Sequence, residues 1–188
     1  MSQRLTGFRV AILATDLFEE SELIEPRKAL EEAGAKTVVI APHVGEIQAV
    51  QHDKKTQRVK VDQTLADADP DQFDAVLLPG GAMNADALRN EPLAKEFVRR
   101  LDQTRRPVAV ICHGGWLLIS ARLVSGRHMT SYKTIQDDFR NAGAFWADKE
   151  VVRDGNWVSS RQPSDLPRFN QEMVKMFFDH HVRARVAA

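Results

Sequence analysis

An α/β sandwich, a mostly parallel β-sheet with helices on both faces, is the fold class this sequence predicts, and three observations lead to it. Short apolar runs recur at Phe8 to Ala14, Lys36 to Ala41, Phe73 to Leu78 and Pro107 to Ile111, as in parallel strands buried on both faces. Segments with apolar residues at helical spacing alternate with these runs, which is the pattern of βαβ units. Glycine-rich turns, Pro79-Gly80-Gly81 and Cys112-His113-Gly114-Gly115, follow the third and fourth runs directly. In such sheets ligands bind beyond the carboxyl ends of the strands, where these turns stand.

Each element follows in order. Phe8 to Ala14, interrupted only by Arg9, reads as the first central strand. Ser21 to Gly34 places Leu23, Ile24, Leu30 and Ala33 at helical spacing and stops at Gly34, a natural helix end. Lys36 to Ala41 returns as a strand and completes one βαβ unit. Between about Ile47 and Val61 the chain is polar and alternating, which predicts a small antiparallel excursion. After the strand Phe73 to Leu78, Asn90 is placed to cap a helix with Pro92 in its first turn and Leu93, Phe97, Val98 and Leu101 along its apolar stripe. Pro107 to Ile111 is the next strand, and Trp116 to Ala121 the helix beyond its turn. Asp154-Gly155 suits the turn of a hairpin over Val151 to Val158. Ser164 can cap a final helix with Leu166, Phe169, Met173, Val174 and Phe177 on one face, and the tail from Arg183 to Ala188 is expected to fray. With no repeat or linker, one domain of flavodoxin-like layering is expected over residues 1–188, its core at about 7–182.

Composition narrows the class. With 188 residues and 43% hydrophobic content, the chain can bury a substantial core without staples. Twenty-six basic residues balance twenty-six acidic ones, so no global field draws it to nucleic acid or to an anionic membrane. One cysteine rules out an intramolecular disulfide, and the apolar stretches are strand-sized. The first residues, Met1-Ser-Gln-Arg-Leu-Thr-Gly7, lack the apolar region of a secretory signal, so a cytoplasmic location is expected. The histidines at 43, 52, 128, 180 and 181 show no metal-ligand spacing; neither metal nor other cofactor is expected.

Cys112 sits where an apolar strand gives way to a glycine-rich turn and a helix. A thiol at such an elbow stands beside free helix N–H groups and becomes more acidic and more reactive. Taken alone, a lone cysteine is more often a small buried hydrophobe, and it is the strand-to-turn context that reverses this reading. Gly80-Gly81 lets backbone approach a ligand and offers N–H donors to an anion, although a plain tight turn would use the same residues. Glu19 lies in the loop after the first strand, either turned into the same crevice or as an exposed helix-start carboxylate. His113 follows the nucleophile directly, and in a regular helix the two side chains would point apart.

Phe18-Glu19-Glu20-Ser21-Glu22-Leu23 with Pro26, Leu77-Leu78-Pro79-Gly80-Gly81, Val110-Ile111-Cys112-His113-Gly114, Thr130-Ser131-Tyr132 and Asp154 to Arg161 stand in the order seen in the PfpI family. In these five motifs the chain resembles that family, within the class I glutamine amidotransferase-like superfamily. The resemblance implies that Cys112 is the elbow nucleophile, that Glu19 is the acidic residue against its sulfur, and that Tyr132 lies near the pocket with Gly80. It also implies that an acidic residue of a neighbouring subunit, best matched by Asp86, pairs with His113, so a homodimer or larger homo-oligomer with a shared site is expected. Gly115 departs from the family, where many members have a proline that would stiffen the first helical turn. An ionised Glu19 would raise the thiol pKa, whereas a protonated one could donate to thiolate or sulfinate; the sequence leaves both open.

The functional expectation is a stress-associated cysteine hydrolase. Cys112 would form a covalent adduct, His113 would move protons, and the Gly81 and His113 backbone N–H groups would hold an oxyanion. Its substrates would be peptides or proteins, or small glycated and aldehyde-derived adducts. The alternative is a redox-sensing or chaperone-like protein in which Cys112 is oxidised and catalysis is incidental. A glutaminase is disfavoured, because the downstream histidine and glutamate of that triad are not evident.

Overall fold

The computed structural model describes residues 4–187. In chain order the strands are β1 (Arg9–Leu13), β2 (Phe18–Glu19), β3 (Lys36–Ala41), β4 (Glu46–Gln51), β5 (Lys54–Lys60), β6 (Gln63–Thr64), β7 (Ala75–Leu78), β8 (Val108–Ile111), β9 (His128–Met129), β10 (Phe145–Trp146), β11 (Val151–Asp154) and β12 (Trp157–Ser160). The helices are α1 (Glu20–Glu32), α2 (Ala82–Asn90), α3 (Pro92–Gln103), α4 (Gly115–Ser120), α5 (Gln136–Asn141) and α6 (Leu166–Ala187).

The central sheet runs β11, β12, β8, β7, β1, β3, β6. Every neighbouring pair is parallel except the hairpin of β11 with β12. Its inner strands β7 and β8 are apolar throughout because both faces are covered, whereas the edge strands β11 and β6 carry polar residues. Along the first strand Val10 and Ile12 enter one core with Leu30, Phe169 and Phe177, whereas Ala11 and Leu13 enter the opposite core with Phe97, Leu101 and Leu118. That two-residue period fixes the register, since a one-residue slip would exchange the two faces. From β1 the chain turns to β3 on one side and later to β7 on the other, so the loops after β1 and β7 open a crevice between them. The loop after β8 borders it.

The antiparallel excursion is present as β4 and β5, with β2 beside β4. Asn90 does not cap α3: the extended residue before that helix is Glu91, and the Asn90 amide donates to the Asp86 carbonyl at 2.8 Å in the preceding helix. That preceding helix, α2, begins directly after Gly81, and its apolar positions are mostly alanines that form no clear stripe. A 3-10 turn over Pro163–Asp165 precedes α6, which stays helical to Ala187 through most of the tail expected to fray. Among the described residues no helix is long and apolar enough to cross a membrane.

Candidate active site

Cys112 directly follows β8 with φ of 60°, the left-handed region that costs a non-glycine residue roughly 1–2 kcal/mol. The preceding Ile111 is extended, and a 3-10 turn over Cys112–Gly114 leads into α4. This conformation turns the thiol back over the chain, so Sγ lies 3.1 Å from His113 Nδ1 although the residues are adjacent. The expected divergence of neighbouring side chains is overcome by this one backbone angle. Its surroundings hold it: a Cβ on Gly114 would meet the Leu78 and Pro79 carbonyls at 2.6 and 2.8 Å, and the Tyr132 N–H donates to the Cys112 carbonyl at 3.3 Å.

The carboxyl group against the sulfur is that of Glu22, not Glu19. The chain takes an extended step at β2 before α1 starts, which sets Glu22 in the first helical turn, fully buried and aimed at Cys112. Glu19, in the cap position, turns the other way, and its carboxylate accepts the His52 N–H at 3.0 Å at the tip of the β4–β5 hairpin. Gly80 lies against both groups, and a Cβ there would overlap the Glu22 carboxyl and the Cys112 Cβ. Glu19, Glu22, Gly81, Cys112, His113 and Tyr132 all border one cleft of about 770 Å³. Its walls are the hairpin residues Val50, His52 and Lys55 on one side and Gln162 to Ser164 on the other.

Burial, with a smaller contribution from the charge of Glu19, pushes the Glu22 carboxyl up to about 8. The Cys112 sulfur and the Gly80 N–H stand beside it, but neither oxygen has a well-aligned hydrogen bond. A carboxylate so poorly compensated keeps its proton at neutral pH. The expected acidity of the thiol is not found: burial pushes Cys112 well above its ordinary value, and a Glu22 charge would push it further. The elbow is 7% exposed and its helix begins with a short 3-10 turn, so desolvation outweighs the N–H groups of His113 and Gly81 that favour the thiolate. Burial lowers the His113 pKa, leaving a neutral imidazole beside a neutral thiol and a neutral carboxyl.

The His113 ring packs 4.9 Å from the Tyr132 ring and 5.2 Å from that of Trp116, centroid to centroid. Among the described residues its Nε2 has no hydrogen-bond partner. Asp86 is exposed on α2 and does not approach His113 within the chain. Gly115 is filled against by Phe139, whose ring a Cβ at that position would strike. The residues missed in the sequence are Glu22, which lies inside the first quoted motif three positions from Glu19, and Asn84, which is fully buried under the Pro79-Gly80-Gly81 turn.

A parallel-sheet protein with a cysteine on a left-handed elbow, a histidine on its sulfur and a buried acid beneath it has the parts of a cysteine-dependent enzyme. Comparison with known proteins agrees: residues 8–176 match the model of the DJ-1/PfpI family, and the chain belongs to that family. It is 44% identical over 168 residues to Deglycase PfpI of Pyrococcus furiosus, covering 89% of this chain and 98% of that protein. It is 40% identical over 171 residues to General stress protein 18 of Bacillus subtilis, covering 90% and 98% respectively. Among solved structures, a two-domain protein with DJ-1/ThiJ/PfpI-like and ferritin-like domains from Anabaena variabilis aligns with a TM-score of 0.83 at 34% identity. That alignment covers 89% of this chain and 47% of the two-domain one.

Proposed function

We propose that this protein is a stress-associated cysteine hydrolase of the deglycase type, releasing amines from adducts formed with 2-oxoaldehydes. The observation that carries the reading is the Sγ to Nδ1 approach of 3.1 Å on a left-handed elbow, at the floor of a cleft open to solvent. Because the thiol is not pre-ionised, the neutral imidazole of His113 takes its proton as sulfur attacks. Sulfur bonds to the carbinol carbon of the adduct, the carbon–nitrogen bond breaks, and the amine leaves with a proton from His113. A proton then moves from that carbon to the neighbouring carbonyl carbon, which converts the hemithioacetal into a thioester. Water releases the thioester as a 2-hydroxy acid and restores the thiol. Glu22, holding its proton beside sulfur, is the second proton carrier, and the Gly81 and His113 N–H groups, which favour negative charge at the sulfur, serve as donors to the oxygen that becomes negative.

The free Nε2 of His113 leaves room for a carboxylate from outside the chain, and the exposed Asp86 fits that part if a second subunit presents it. The active form is therefore a homo-oligomer with shared sites.

The experiment supplies methylglyoxal-treated N-acetyl-lysine in an amine-free buffer and follows free amine and lactate together. Wild type releases both in equal amounts and Cys112→Ala neither. Cleavage of unmodified peptides with no lactate would replace this reading with a peptidase.

A further inference from the structure

We infer that Asn84 is the positioning residue that turns the Gly81 N–H, the oxyanion donor, toward the reactive sulfur and the Gly80 N–H toward the Glu22 carboxyl beside it; the inference deepens the hydrolase reading and rests on it. Asn84 is fully buried at the start of α2, and its amide is saturated from three directions. Oδ1 accepts the Thr15 N–H at 2.7 Å, while Nδ2 donates to the Gly80 carbonyl at 2.9 Å and to the Pro79 carbonyl at 3.2 Å. One donor NH₂ facing two carbonyls and one acceptor facing an N–H admit a single orientation of the amide.

The consequence follows from peptide planarity. A carbonyl and the N–H of the next residue belong to one rigid trans plane and point in opposite directions, so holding one aims the other. The plane containing the Gly80 carbonyl also contains the Gly81 N–H, which points at Cys112 Sγ. The plane containing the Pro79 carbonyl also contains the Gly80 N–H, which lies on the side of the Glu22 carboxyl without an aligned hydrogen bond to it. A single buried amide therefore holds the two peptide planes whose N–H groups face the nucleophile and its neighbouring acid.

The latch is needed because of what surrounds that plane. It lies between two glycines, Gly81 sits at φ of 89°, and no Cβ bars the plane from turning over. Neither position can be stiffened by a side chain: at Gly81 a Cβ would meet the Leu17 carbonyl at 2.5 Å and the Glu19 nitrogen at 2.7 Å, and at Gly80 it would overlap the site itself. Among the described residues, apart from Asn84, the Gly80 carbonyl receives only the longer Glu19 N–H contact of 3.3 Å.

Asn84→Asp tests this with almost no change of shape, since it keeps the acceptor for Thr15 and loses both donors. Asn84→Ser is the second variant, keeping a single shorter donor. Each is assayed per folded protein, with thermal melts as the control. Two readouts are taken: the pH profile of Cys112 alkylation by iodoacetamide, which needs no substrate, and turnover resolved into kcat and KM. The expected result for Asn84→Asp is an alkylation midpoint raised by about one pH unit, as the N–H leaves the thiolate. With it, kcat falls by about 100-fold at nearly constant KM, the scale of losing one oxyanion donor. Asn84→Ser falls between this variant and wild type. An unchanged alkylation profile in folded variants overturns the inference, whether or not their stability drops. A wild type that turns over no adduct while the alkylation midpoint still moves overturns the hydrolase reading alone and leaves the aiming role of Asn84 standing.

Discussion

Replacing Glu22 by glutamine should stabilise the protein, and by an amount that grows with pH. In the folded chain the carboxyl is held at about 8, against 4.5 when unperturbed. Between those values the fold retains a proton that the unfolded chain has released, so stability falls as pH rises through this window and levels off above the folded value. At 1.36 kcal/mol per unit, the loss relative to low pH is roughly 1 kcal/mol at pH 5 and about 3 kcal/mol at pH 7. Glutamine is neutral in both states and escapes the loss. Other titrating groups are common to the two proteins and cancel in the difference. The stability gap between Glu22→Gln and wild type should therefore widen by about 2 kcal/mol from pH 5 to pH 7. In urea titrations, with m of about 2 kcal/mol/M, that is a widening of roughly 1 M between the two midpoints. Midpoints that keep a constant separation over this range would mean that Glu22 ionises inside the fold, and would refute its role as a proton-bearing acid beside sulfur.

The other expectations distinguish Glu22 from its neighbours and test the assembly. Glu19→Gln should leave Cys112 alkylation near the wild-type rate and lower stability by about 1 kcal/mol, because it weakens a charge-assisted bond to the His52 N–H while also removing the charge that faces Glu22; slowed alkylation would return Glu19 to the sulfur. Because the Cys112 thiol is buried and not pre-ionised, limiting peroxide should oxidise the exposed Met83 before Cys112; peptide mass spectrometry showing Cys112 oxidised first, with less sulfinate in Glu22→Gln, would favour the redox reading. Mixing inactive Cys112→Ala with inactive Asp86→Ala subunits should recover part of the turnover once exchange is verified by sedimentation or mass-tagged subunits. Exchange without recovery would place the orientation of His113 within its own chain.

The central strands were legible because double-sided burial leaves continuous apolar runs, and the elbow was legible because Cys112 interrupts such a run at a pair of glycines. The acid was harder. Glu19, Glu20 and Glu22 all crowd the start of α1, and which one meets sulfur depends on where the extended step of β2 ends, a difference of a residue or two that composition does not record. The meeting of Cys112 with His113 hangs on one left-handed residue, which only the packed turn can enforce. Thiol acidity was misread because the N–H groups at an elbow are local, whereas the desolvation that outweighs them is set by residues brought from β1, β7 and β8 together. Asn84 gave no signal, since a single asparagine among small residues reads as loop chemistry until the three backbone groups it binds are in place. Gly115, a departure from many family members, is matched in this chain by Phe139 from a distant helix.

The claim on which the rest depends is that catalysis passes through a covalent bond to Cys112, and intact-protein mass spectrometry during turnover tests it most directly. Quenching in acid while methylglyoxal-modified N-acetyl-lysine is being consumed should show an acyl-sized mass increment on wild type, localised to the peptide carrying Cys112. The increment should vanish when substrate is exhausted, and Cys112→Ala should neither carry it nor release amine. Amine release by Cys112→Ala at the wild-type rate, or steady turnover with no adduct on the cysteine peptide while His113→Ala retains full activity, would contradict the account.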